Sequence, residues 1–267
     1  MINVKTQIVA TIGPASTDRE TLKAMIEQGL DIVRMNFAWG DIETRIGQIK
    51  LIKELRIELD KKVSILIDLP GPRIQEDGSH TYDDTIVSAV TEQDEEFIKF
   101  ATEQEVDYLS VSFVGKKEDV EKCREIVAKF SGEQKIIAKI ERALALEHLE
   151  DIILSADAVM IARGDLGDEI PFEQVPFAQK QIVENCQKNN KPVIVATQML
   201  FSMKENNKPT RAEVTDVYNA VMQGASAVML SEETAIGKYP VETVATMKKI
   251  ILEAEKHLDN TIKLNLL

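Results

Sequence analysis

Eight short runs of β-branched and aliphatic residues recur along the chain: 7–13 (QIVATIG), 31–37 (DIVRMNF), 63–69 (VSILIDL), 106–114 (VDYLSVSFV), 135–140 (KIIAKI), 158–162 (AVMIA), 192–198 (PVIVATQ) and 227–233 (AVMLSEE). Helix-length spacers separate them, with apolar residues at a 3.6 period in TLKAMIEQGL and VPFAQKQIVENCQ, and start signals at Thr17-Asp18 and at Thr210 followed by Glu213. Strands that are apolar throughout and alternate with helices belong to a parallel sheet covered on its outer face. Eight such units within 267 residues predict an α/β protein, a single-domain (β/α)8 TIM barrel spanning 1–267. A doubly wound open sheet is the alternative, but the chain has no dinucleotide-type glycine fingerprint to support it.

One connection is unusual. Between Leu69 and a helix starting near Thr91, residues 73–90 are polar and turn-rich, longer than most strand-to-helix loops. The spacing predicts an irregular loop with a short hairpin. The chain closes at LNLL, soon after the eighth helix, and no further domain is expected there. The net charge of −13, from 32 Lys+Arg against 45 Asp+Glu, argues against a nucleic-acid partner. Cys123 and Cys186 offer neither a disulfide framework nor a metal spacing. With no apolar run near the roughly 18 residues of a spanning helix and no signal-peptide pattern, a soluble cytoplasmic protein that avoids membranes is expected.

Active sites of such barrels lie at the carboxyl ends of the strands. Six of the eight runs end in charge, amide or hydroxyl: Arg34 and Asn36; Asp68; Lys139 and Glu141; Arg163 and Asp165; Thr197 and Gln198; Ser231, Glu232 and Glu233. Side chains alternate along a strand, so Lys139 and Glu141 project to one side, as do Arg34 and Asn36. In ARGDLG two glycines flank Asp165 where a strand meets a helix. Backbone N–H groups at such a turn hold anions, and a carboxylate holds a hard cation; the plainer reading makes Asp165 a helix cap. Glu141 and Asp165 suit Mg²⁺ or Mn²⁺ with waters and substrate oxygens as the other ligands. The ammonium of Lys139 beside such an ion stabilises a developing enolate oxygen. The amides of Gly164 and Asp165 suit a substrate carboxylate, Thr197 offers a hydroxyl near the reacting carbon, and the fork of Arg34 matches a phosphate or second carboxylate. Together they describe a pocket for a small α-keto or enol acid.

The segments KTQIVATIGPAS, GLDIVRMNF, AKIE, VMIARGDLGDEIP, KPVIVATQML, PTRAEVTDVYNAV and VMLSEETAIGKYPVE, in that order, closely resemble the pyruvate kinase family. The resemblance covers nearly the whole chain. It implies a (β/α)8 catalytic core, Lys139 as the group that stabilises the enolate in phosphoryl transfer, and Glu141 and Asp165 as divalent-metal ligands. It also implies phosphoenolpyruvate carboxylate binding near Gly164, Asp165 and Thr197, and Arg34 near the transferred phosphate. Asn36 and Asp68 correspond to monovalent-cation (K⁺) ligands, and Ser231 and Glu233 to a more remote layer of the same rim.

The departures from the family pattern bear on function. Where the family carries a lid domain, this chain has only the 73–90 connection, and the family's carboxy-terminal domain has no counterpart. Ala38 and Trp39 stand where the family has serine and histidine, Gln75 where it has arginine, and Glu232 where it has glycine. The enolate half of the site is thus retained and the nucleotide half weakened. Each lost anion-stabilising donor is worth roughly 2.7–4 kcal/mol in a transition state, and a lost lid worsens water exclusion and positioning. Three readings follow: a minimal pyruvate kinase acting on phosphoenolpyruvate and ADP; a metal-dependent enolising or decarboxylating enzyme for an oxaloacetate-type keto acid; or a non-catalytic binder of phosphoenolpyruvate or a keto acid. A homo-oligomer is compatible with all three.

Overall fold

The computed structural model describes residues 6–76, 79–82 and 88–258. In chain order its elements are β1 (Gln7–Thr11), α1 (Arg19–Glu27), β2 (Ile32–Asn36), α2 (Ile42–Glu58), β3 (Ser64–Asp68), β4 (Arg73–Glu76), β5 (Ser79–Tyr82), α3 (Glu92–Glu103), β6 (Tyr108–Val111), α4 (Lys117–Lys129), β7 (Lys135–Ile140), α5 (Ala143–Glu147) and α6 (Leu149–Ser155). There follow β8 (Ala158–Ala162), α7 (Arg163–Glu169), α8 (Val175–Lys188), β9 (Val193–Ala196), α9 (Arg211–Gln223), β10 (Ala227–Leu230), α10 (Glu232–Ala235) and α11 (Pro240–Lys256). Among the described residues, eight parallel strands close into a barrel in the order β1-β10-β9-β8-β7-β6-β3-β2. The chain is therefore a (β/α)8 barrel, as the strand count predicts.

Alternation along each strand builds two cores. Val9, Ile32, Leu66, Ile137, Met160, Ile194 and Met229 point inward and fill the barrel. Their neighbours, such as Ile8, Val33, Ile65, Ala138 and Ile161, point outward and pack beneath the helices. Several helices begin where the sequence says they should. Asp18 caps α1 by accepting from the Thr21 amide at 2.9 Å, and Thr210 with Glu213 forms a capping box on α9.

Six of the eight barrel strands are shorter than the sequence runs, while β7 and β8 match theirs. Residues 12–13, 37, 69, 112–114, 197–198 and 231–233 lie beyond the ladder, because there the backbone leaves the sheet to turn across the barrel mouth. β4 and β5 form a two-stranded antiparallel hairpin between β3 and α3, so the 73–90 connection carries the expected hairpin. Gly71 leads into it with φ +65°, and a Cβ there would press on the Phe113 ring at 3.1 Å and the Ser112 Cβ at 3.2 Å. The LNLL terminus and the Gln75 side chain lie outside the described part of the chain.

Candidate active site

Towards the carboxyl ends of the strands the inward-facing positions change from apolar to polar. On β2, Arg34 follows Ile32; on β3, Asp68 follows Leu66; on β7, Lys139 follows Ile137. These three, with Thr11, Ser110, Ser112 and Glu141, are all buried. A closed ring of strands brings them together. Arg34 donates twice to Asp68 Oδ2, from Nε at 2.9 Å and from Nη2, and once to Thr11 Oγ1 at 2.7 Å. Ser110 Oγ donates to Asp68 Oδ1 at 2.6 Å, and Lys139 Nζ lies 3.4 Å from the same oxygen. Lys139 also donates to Ser112 Oγ at 2.8 Å, which in turn donates to the Leu69 carbonyl at 2.6 Å. Glu141 Oε1 accepts the Phe113 amide at 2.6 Å, and Oε2 lies 3.2 Å from Lys139 Nζ.

This packing sets the charges. Burial by itself raises the Asp68 carboxyl, but Lys139, Arg34 and the Ser110 hydroxyl together outweigh it and hold Asp68 well below the usual carboxylate range. Burial pulls the Lys139 ammonium down, yet the facing carboxylates of Asp68 and Glu141 reverse this and keep it protonated. Glu141 goes the other way. Burial, with Asp165 and Asp68 adding to it, exceeds the help from Lys139 and the Phe113 amide, and its carboxyl is pushed up to about 7.

Glu141 Oε2 is buried and accepts no hydrogen bond, its contact with Lys139 being an ion pair of poor hydrogen-bond geometry. A buried carboxylate oxygen without a donor, with Asp165 close enough to raise its pKa, suits a hard divalent cation. Among the described residues no cluster of three or more His, Cys, Asp or Glu forms a metal site. Two carboxylates with water and substrate oxygens are nonetheless a usual Mg²⁺ arrangement, and the residues present fit the ion. The resemblance also implies a monovalent-cation role for Asn36 and Asp68, and both already have protein partners. A carboxylate has about four acceptor positions; Arg34 takes two on Asp68, and Ser110 and Lys139 approach the others. Asn36 Oδ1 accepts the Ala38 amide at 3.0 Å.

Asp165 sits in the first turn of α7, which has no side-chain cap, so the helix-cap reading is replaced. The Gly164 amide, expected to face a substrate carboxylate, donates to Thr197 Oγ1 at 2.8 Å, and Thr197 Oγ1 donates to the Ala196 carbonyl at 2.6 Å. Thr197 has φ +68° and Phe113 φ +58°. For non-glycine residues such backbone costs about 1–3 kcal/mol and gathers at functional sites. Glu233 is fully buried; its oxygens accept the Leu200 amide at 3.1 Å and the Ser231 amide at 2.7 Å, binding the β9 and β10 turns together. Ser231 Oγ is buried without a partner. Arg163 is directed away from this cluster, toward Asp216 on α9.

The sequence reading missed Thr11, Ser110, Ser112 and the Phe113 amide. The first and fourth strands were the two with no residue assigned to the rim, yet they supply these groups. The alternating serines of VDYLSVSFV were the available signal.

Comparison with known proteins agrees with the barrel fold. The family model for pyruvate kinase, barrel domain, matches residues 3–88 and 80–244. The chain belongs to the pyruvate kinase family. A Thermococcus litoralis pyruvate kinase is 36% identical over 336 aligned positions, covering 96% of this chain and 71% of the relative. The Thermotoga maritima pyruvate kinase is 36% identical, covering 95% and 72%; that of Staphylococcus aureus is 34% identical, covering 96% and 58%. An alignment of 336 positions exceeds the 267 residues of this chain, so these pyruvate kinases hold residues inside the matched region that this chain lacks. The two stretches matched by the pyruvate kinase model meet at 80–88, in the connection after β3. Among the described residues no helix is long and apolar enough to cross a membrane.

Proposed function

We propose that this chain transfers the phosphoryl group of phosphoenolpyruvate to ADP, giving pyruvate and ATP. The observation that carries this reading is the buried Lys139 ammonium, held charged between Asp68, Glu141 and Ser112. Departure of the phosphoryl group leaves negative charge on the enol oxygen, and a preorganised ammonium in a water-poor pocket stabilises that charge. Glu141 and Asp165 would hold Mg²⁺ or Mn²⁺, which would add positive charge near the substrate oxygens. Arg34 binds the phosphate, with Asp68 and Thr11 fixing its fork. Gly164, Asp165 and Thr197 bind the carboxylate end, and Thr197 offers its hydroxyl close to the reacting carbon. Gly164 then exchanges its present hydrogen bond with Thr197 for one to the substrate.

The hairpin β4–β5 stands in the place of a lid domain, a reading supported by the split match at 80–88. Trp39, 56% exposed, and Gln75 stand where the resemblance has histidine and arginine. These observations favour a second reading in which enolate chemistry persists without nucleotide phosphorylation, on a keto acid of the oxaloacetate type. A coupled assay at high ADP, against a Lys139→Met control, decides between them. Turnover of the wild type no faster than the control sinks the kinase. Mg²⁺-dependent exchange of pyruvate methyl protons with deuterium in that same protein establishes the second reading.

A further inference from the structure

Arg163 opens α7 directly after β8, yet its guanidinium crosses to the neighbouring strand. Nε donates to the Ala196 carbonyl at 3.1 Å and Nη2 to the Thr197 carbonyl at 2.7 Å, so one side chain grips two consecutive carbonyls at the end of β9. Nη2 also reaches Met199 Sδ at 2.8 Å, and Nη1 reaches Gln179 Oε1 at 3.2 Å. Behind it Asp216, on α9, accepts from both Nη1 and Nη2, at 2.7 and 2.8 Å. The Arg163 side chain is only 13% exposed.

The segment it grips is strained. Thr197 and Gln198 have φ of +68° and +54°, two consecutive non-glycine residues in the left-handed region, the first of them β-branched. Each costs about 1–3 kcal/mol and persists only where its surroundings over-determine it. The same backbone turn sets the Thr197 hydroxyl between the Gly164 amide and the Ala196 carbonyl. A threonine in ordinary extended backbone would carry that hydroxyl elsewhere.

We propose that Arg163, seated by Asp216, is a positioning residue that clamps the Thr197–Gln198 turn in its left-handed conformation and so aims the Thr197 hydroxyl into the site. The inference rests on the reading that Thr197 works beside the substrate. Only a fork does this task, because it spans two carbonyls and a carboxylate at once, whereas an ammonium is a point charge on a flexible stem. Asp216 neutralises the largely buried guanidinium and fixes its rotation, leaving the inner edge of the fork for the carbonyls.

Arg163→Lys keeps the charge and loses the fork. In a crystal structure of substrate-free Arg163→Lys, Thr197 is expected to leave positive φ. In the coupled assay its kcat is expected to fall on the order of 10²-fold, the scale of a 1 Å misplacement. Because Arg163 acts through Thr197, Arg163→Lys/Thr197→Ala should be no slower than Thr197→Ala alone. Gln198→Gly, which removes the steric cost of one left-handed residue, should restore part of the kcat lost in Arg163→Lys. Should Arg163→Lys fail to fold, Asp216→Asn keeps the shape and removes only the charge, and its turn is expected to shift in the same direction. A Thr197 torsion unchanged in both variants, or losses from Arg163→Lys and Thr197→Ala that multiply, or no rescue by Gln198→Gly overturns the clamp. Absence of wild-type turnover would instead defeat the kinase reading, while the torsion still decides the clamp.

Discussion

The Lys139 edge of the barrel mouth and the Trp39 edge differ sharply in how they are held. Around Lys139, the charged groups of β2, β3 and β7 are buried and joined by hydrogen bonds to Thr11, Ser110, Ser112 and the Phe113 amide. Around Trp39 the β2–α2 turn is fastened from below, by Arg45 donating to the Asn36 and Trp39 carbonyls at 2.6 and 2.7 Å. The indole itself stays largely in solvent, and the side chains of Ile42 and Ile46 on α2 are exposed as well. A buried charged network is costly to leave half-satisfied, so its members depend on one another. An exposed edge tolerates substitution because little is packed on it. The difference implies that substitution at Trp39 is tolerated more readily than substitution within the Lys139 cluster.

The hardest blow to that contrast is Lys139→Met. It removes a cation from between two buried carboxylates, which costs about 3–5 kcal/mol where the partner charges stay behind, and turnover should fall by ~10²–10³-fold or more with the lost electrostatic stabilisation. Denaturant melts and the coupled assay measure the two effects. A variant as stable and as active as wild type would erase the distinction between the two edges.

Glu141→Gln is expected to act next most strongly, weakening Mg²⁺ or Mn²⁺ binding about 10-fold or more in a calorimetric titration. It also changes the pH dependence of the metal-free protein. The folded carboxyl titrates at about 7, above its ordinary 4.5, so the fold favours the protonated form. Glu141's contribution is therefore full below pH 4.5 and is lost as pH rises through about 7. Glu141→Gln should flatten the stability profile across that window, and saturating Mg²⁺ should oppose the loss in wild type. An unchanged slope in the variant removes Glu141 as its source.

Ser110→Ala tests a smaller link in the buried network, the bond to Asp68 Oδ1. A loss of about 1–3 kcal/mol is expected in chemical denaturation, with Arg34 less firmly seated and the KM for phosphoenolpyruvate raised. The mildest change is Trp39→Ala. Its stability should stay within about 0.5 kcal/mol of wild type, and any kinetic effect should appear in the KM for ADP and not in that for phosphoenolpyruvate. A larger loss of stability would mean that the indole is structural and that the two edges are less unlike than their exposure suggests.

Much of this molecule can be read without coordinates, for a local reason. Strands of a parallel barrel are apolar on both faces, so eight runs separated by helical spacers leave few other architectures. Alternation likewise puts Lys139 and Glu141 on one side of β7, and a residue's place at a strand's carboxyl end puts it at the mouth. Tertiary closure decided the rest. That Thr11 answers Arg34, and that Ser110 and Ser112 answer Asp68 and Lys139, depends on strands 23 to 42 positions apart. Arg163 and Thr197 show the same limit: a rim arginine reads as a ligand until α9 supplies Asp216, and no periodicity announces a left-handed threonine. Periodicity fixes the direction in which a side chain points, because that is set by its own backbone. What it meets there, and what charge it then carries, is set by residues that only the closed ring brings within hydrogen-bonding reach.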